Sequence, residues 1–174
     1  DALPISLIAR GYHCVGPTLG EGAIVYDEIS GSTDLPRGWT DEQAPGQYRL
    51  KKRNDGAYFG YVVGPHSWKK YLFEPQRRLW QLKRAGQRFE RTDEPPEPKR
   101  YAFIGVRACE IAALRIQDRV FAEGSFVEPG YAKTREQSLV IAVNCTQAAA
   151  TCFCVAMNTG PEVREGFDLA LTEI

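Results

Sequence analysis

The spacing of apolar positions predicts different elements in the two halves of the chain. In the first half the apolar runs are short and broken by turn residues. Residues 3–10, LPISLIAR, carry Leu3, Ile5, Leu7 and Ile8 and predict a short helix. YHCVGP and AIVYDEI predict strands around a glycine-rich turn at Gly20 and Gly22. Residues 30–47 are rich in Gly, Pro, Ser and Asp and read as an irregular loop. YRLKKRNDGAYFGYVV places Asp55-Gly56 between two strand-like runs and predicts a β-hairpin. In SWKKYLF, Ser67 is an N-cap residue, with Trp68, Tyr71 and Leu72 at i, i+3 and i+4. RLWQLKRAGQRFER predicts a strand pair turning at Gly86, and TDEPPEPKR, residues 92–100, is a proline-rich charged linker.

The second half has longer uniform runs. RYAFIGV is a continuous apolar stretch, expected of a strand buried on both faces. CEIAALRIQDRVF sets Ile111, Leu114 and Phe121 on one helical face, and Gly124 lies just beyond it, where a C-terminal glycine belongs. SLVIAV is a second buried strand, and FDLALTEI a further strand or helix. Strand, helix, strand is the βαβ pattern, with parallel strands and a right-handed crossover. The expected fold class is α+β: a β-rich N-terminal half of hairpins and short helices, residues 1–91, then a βαβ unit over residues 101–174.

Composition narrows the function. The 174 residues carry 22 Lys+Arg against 22 Asp+Glu, a formal net charge of zero, which argues against a nucleic-acid binder or an acidic-membrane binder. No apolar run approaches the ~20 residues of a membrane span, and no signal region opens the chain. The chain starts at Asp1 and stops on an apolar run, as a segment of a longer protein would. Five cysteines without the spacing of a secreted framework point to a reduced, cytoplasmic setting.

The thiols are the candidate chemistry. Cys109 follows the first buried strand and Cys145 the second, so a parallel βαβ unit brings both to the carboxyl edge of the sheet, where open α/β sheets bind ligands. Cys152 and Cys154 lie on the loop leaving Cys145. Cys109, Cys145, Cys152 and Cys154 are therefore the candidate cofactor and metal ligands, and four thiolates suit a [4Fe-4S] cluster or a structural zinc. The helix start beyond Cys109 and the charge of Arg107 favour an anion there. Val106, Phe153, Val155 and Met157 would form a water-excluding apolar shell. The spacing, C-x35-C-x6-C-x-C, is neither the ferredoxin run nor a zinc-finger pattern. A C-x-C pair in a straight strand points its thiols to opposite faces, so shared ligation needs a turn at Phe153. Two other readings stand beside ligation: inert core cysteines, and a redox disulfide between Cys145 and Cys152. Cys14 reads as a core residue. His66 reads as a structural histidine ahead of one that lines a cofactor pocket or an interface, and His13 reads the same way. GEG at 20–22 lacks the strand–GxGxxG–helix order of a phosphate site.

GYHCVGP, IVYDEI, DLPRGWTDEQAPGQYRL, VGPHSWKKYLFEP, FIGVRACEIAAL, AVNCTQAAATCFCVAMNTGP and GFDLALTEI together resemble an electron-transfer subunit family. It includes the beta subunit of soluble nickel–iron hydrogenases (sulfhydrogenases) and the A subunit of anaerobic sulfite reductase. The resemblance implies relay of electrons between a flavin- and NAD(P)-handling subunit and a hydrogenase or sulfite reductase catalytic subunit, through several [4Fe-4S] clusters. The family's ferredoxin-like C-x2-C-x2-C-x3-C runs are missing here and would lie downstream of Ile174. What carries over is the segment around RAC and NC…CFC. Two further roles compete with electron transfer: a docking module that positions the downstream ferredoxin domain, and a structural zinc site.

Overall fold

The computed structural model describes residues 2–93 and 98–174. The chain begins with helix α1 (Ala2–Ala9), followed by the antiparallel strands β1 (His13–Gly20) and β2 (Ala23–Glu28). Their two-residue turn has positive φ at both Glu21 (52°) and Gly22 (74°), as expected where a hairpin turn must match the strand twist.

Two expectations for the next stretch are overturned. Residues 30–47 are not all irregular, because strand β3 (Trp39–Ala44) lies within them. It pairs with β4 (Gln47–Lys52), so the hairpin turns at Pro45-Gly46 and not at Asp55-Gly56. The reason is visible in the hydrogen bonds. Gly46 has φ +70°, which meets the turn's backbone demand without strain. Asp55 is held by the Arg53 guanidinium at 2.8 and 2.6 Å and accepts from Ala57 N–H at 3.2 Å. The amides of Tyr58 and Phe59 donate to the Glu173 carboxylate at 2.7 and 2.9 Å, and Val62 N–H donates to Asp41 at 2.7 Å. Side-chain acceptors thus take the place of a strand partner.

The short helix α2 (Lys69–Leu72) follows, with Ser67 Oγ accepting from Lys69 N–H at 3.3 Å. Trp68 and Leu72 are buried beneath it. Strands β5 (Trp80–Ala85) and β6 (Arg88–Asp93) form a separate hairpin turning at Gly86, as expected. The linker expected at 92–100 begins inside β6, and residues 94–97 of it lie outside the described residues.

Next come β7 (Tyr101–Val106), α3 (Ala108–Phe121), α4 (Pro129–Glu136), β8 (Leu139–Val143) and β9 (Leu169–Leu171). The main sheet has the order β2-β1-β7-β8-β9, with β1, β7, β8 and β9 mutually parallel and β2 antiparallel. The βαβ unit forms as expected, with α4 as an additional helix in the crossover. The segments before and after residues 94–97 share this sheet through the β1–β7 pairing.

The core lies on both sheet faces. Tyr101, Phe103, Val140 and Ala142 face a cluster that includes Trp68, Ile111, Leu114 and Tyr131. Ala102, Ile104 and Ile141 face a second cluster with Leu7, Cys14 and Ile29. A bulge at Gly105, φ +91°, breaks the alternation between Ile104 and Val106. It turns Val106 into the first cluster. A side chain at Gly105 would meet the Phe59 ring at 3.0 Å, so the close approach requires glycine. Cys14 is buried in the core, as expected, and its thiol donates to Pro4 O at 3.6 Å.

Candidate functional site

The bulge in β7 sets the path of the chain into α3. Arg107 follows the strand directly, Ala108 opens the helix, and Cys109 sits in its first turn. Next to it, β8 ends at Val143, so Asn144 and Cys145 leave the sheet at the same carboxyl edge. Asn144 fixes this departure. Its amide donates to Leu171 O at 2.9 Å, its Oδ1 accepts from Val163 N–H at 2.9 Å, and its Nδ2 donates to Thr172 at 2.8 Å. The loop then runs out and returns, with Cys145 N–H donating to Pro161 O at 3.2 Å. A tight turn starts at Phe153, closed by Met157 N–H to Phe153 O at 3.2 Å and Thr159 N–H to Cys154 O at 2.8 Å. This is the bend that a C-x-C pair needs if both thiols are to face one side.

Cys109, Cys145, Cys152 and Cys154 all line one cavity of about 370 Å3, whose walls are mostly apolar. All are free thiols. Cys145 Sγ donates to Gln147 O at 3.0 Å, and Cys152 Sγ accepts from Ala149 N–H at 3.3 Å. Gly160 packs against the same turn: a Cβ there would meet Cys154 Sγ at 3.2 Å and Ala108 Cβ at 3.4 Å. Among the described residues, no three Cys, His, Asp or Glu side chains converge closely enough to hold a metal ion. The thiols ring the cavity without meeting at a point.

Cys109 exposes surface toward this open cavity, yet neighbouring atoms crowd its sulfur. That partial burial is the largest cause that pushes its thiol up to about 11, ahead of the nearby Glu110, Cys154 and Cys145.

Behind Cys109 lies a buried polar group that sequence reasoning missed. Glu110 accepts from Tyr26 OH at 2.6 Å and from Arg107 N–H at 2.9 Å. Burial pushes its carboxyl above the ordinary range, against the lowering effect of these hydrogen bonds. The Trp68 indole N–H lies near the same carboxyl, outside hydrogen-bonding geometry. The available signal was spacing: Glu110 is three residues past the helix N-cap, the acidic position of a capping box. His66 lies beside a neighbouring cavity of about 250 Å3 that also reaches Cys109 and Glu110, and its Nδ1 is buried with no partner among the described residues. His13 opens the inner strand β1, 3.4 Å from Glu28 and against the Tyr101 ring.

The expected water-excluding shell is corrected. Val106 is fully buried, but Phe153, Val155 and Met157 are 71%, 74% and 62% exposed. They stand on a turn outside the sheet, where nothing within the described chain covers them. Phe153 and Met157 line the cavity mouth, and Val155 does not.

No family model and no solved structure matches the chain. Over 106 residues it is 26% identical to the sulfhydrogenase 2 subunit beta of Pyrococcus furiosus. The chain is similar to a hydrogenase subunit. The aligned stretch covers 61% of this chain and 29% of that protein, so the chain spans under a third of the curated relative's length. By its name the relative is one subunit of a larger hydrogenase. No helix among the described residues is long and apolar enough to cross a membrane.

Proposed function

We propose that this chain is an electron-transfer segment of an iron–sulfur subunit, in a hydrogenase- or sulfite-reductase-like complex, with Cys109, Cys145, Cys152 and Cys154 as the ligands of a [4Fe-4S] cluster. One observation carries the reading: four free thiols, from a helix start and one loop, line a single cavity at the carboxyl edge of a parallel sheet. Four thiols are the donor type that such a cluster takes. A single zinc ion would need its sulfurs at about 2.3 Å from one point, whereas a cubane is held by thiolates spread around a larger body. The distant likeness to a sulfhydrogenase beta subunit supports the same reading.

In this account the cluster supplies one-electron chemistry when bound. The chain supplies the rest. β7 and β8 fix Cys109 and Cys145, the turn at Phe153 aims Cys152 and Cys154, and Ala108, Ala112 and Ile116 wall the cavity. The partners in this reading are a flavin- and NAD(P)-handling subunit, a catalytic subunit and a downstream ferredoxin domain, in a cytoplasmic complex.

The exposed Phe153, Val155 and Met157 favour a docking role as well. A partner seated on this rim would close the cavity to water. The two roles separate by mutation. Replacing all four cysteines by Ser removes iron and electron transfer under the first, and leaves electron transfer intact in the assembled complex if docking is the whole function. Elemental analysis of protein prepared without oxygen distinguishes iron from zinc.

A further inference from the structure

Arg107 is 1% exposed, and it lines the cavity that the four thiols line. Its guanidinium donates to three backbone carbonyls: Asn144 O at 3.0 Å, Phe59 O at 2.6 Å and Tyr61 O at 3.3 Å. It lies over the Tyr61 ring at 5.1 Å. Its Nε has no partner among the described residues. The neighbouring Glu110 carboxyl takes the Arg107 backbone N–H and the Tyr26 hydroxyl and is not hydrogen-bonded to the guanidinium. A buried guanidinium bonded only to neutral carbonyls has no hydrogen-bonded anion to offset its desolvation, and the raised Glu110 carboxyl acts on it only through space. Fixing the Phe59–Tyr61 loop needs donors and not a full charge.

We infer that Arg107 supplies the fixed positive charge that balances an anionic, thiolate-held group in this cavity and sets how readily that group takes an electron. This rests on the cluster reading above. Four thiolates around a cubane leave a net negative site, and each electron accepted adds another negative charge. A cation in the cavity wall favours the reduced state and raises the potential.

The test is an anaerobic redox titration of the iron-loaded chain, followed by EPR, with reduced viologen as the one-electron donor that is itself oxidised. Arg107→Gln should lower the reduced-to-oxidised ratio at the wild-type midpoint at least tenfold, a shift of about 59 mV or more for one electron. Arg107→Lys should stay close to wild type. An iron-loaded Arg107→Gln with an unchanged midpoint overturns the inference and leaves the cluster reading standing. Wild-type chain that takes up no iron overturns both. If Arg107→Gln does not fold, wild-type protein labelled with 15N-arginine decides by electron–nuclear double resonance. A nitrogen coupling to the reduced centre supports the inference, and its absence overturns it.

Discussion

The cavity has two unlike sides. On the sheet side, Arg107, Cys109 and Glu110 follow a fully buried strand, and hydrogen bonds fix Arg107 to Phe59, Tyr61 and Asn144 and Glu110 to Tyr26. On the loop side, Cys152 and Cys154 hang on a turn whose apolar residues face solvent. The first side gets its shape from the core. The second has few buried contacts of its own, which is the property of segments that open easily. Half of the candidate site is thus preorganised by folding, and half is left for a bound group or a partner to order.

This contrast gives a ranking of effects. Glu110→Ala should be the most damaging of the single changes, because it strands the Tyr26 hydroxyl and the Arg107 amide in the core. A loss of about 3 kcal/mol is expected in chemical denaturation. A loss below about 1 kcal/mol would mean that the sheet side is not the stiff one. Glu110→Gln keeps part of the network and should cost about half as much.

The pH dependence of stability sharpens the same point. The Glu110 carboxyl is raised in the folded protein, so the folded state holds its proton more tightly than the unfolded state. Its stabilising contribution is complete below the ordinary carboxyl value of 4.5 and is lost as pH rises through the higher folded value. Glu110→Gln should abolish that decline while leaving the other carboxylates' behaviour unchanged. An identical pH–stability profile in Glu110→Gln and wild type would contradict it.

Gly160→Ala tests the seam between the two sides. The new methyl presses on Cys154 Sγ and Ala108 Cβ. The loop is the side that can yield, so the stability cost should be about 1 kcal/mol or less, while iron uptake falls because Cys154 moves. A large stability cost with normal iron uptake would show the loop to be the rigid partner. The smallest effect is expected at Phe153→Ser, within about 0.5 kcal/mol in apo protein. Its consequence should appear only when a partner covers the rim.

The sequence made the stiff side legible and the loose side less so. RYAFIGV and SLVIAV are uniform apolar runs, and a run buried on both faces has few alternatives to a parallel strand. From them the convergence of Cys109 and Cys145 follows directly. The first-half hairpin was misplaced because Arg53 ties up Asp55 locally, while Asp41 and Glu173 take the following backbone amides through contacts distant in sequence. Glu110 was missed because its partner Tyr26 comes from the far end of the sheet. Phe153, Val155 and Met157 were expected inside because apolar character alone does not reveal whether the covering surface belongs to this chain.

The central claim is that four thiols on these two sides hold one cluster. Iron and acid-labile sulfide analysis of anaerobically prepared chain, read together with the EPR spectrum of the reduced protein, tests it most directly. The account predicts about four irons and about four sulfides per chain and a single cubane signal, with all of it lost on Cys109→Ser together with Cys154→Ser. A chain that stays free of iron after anaerobic reconstitution, with its fold intact, would contradict it.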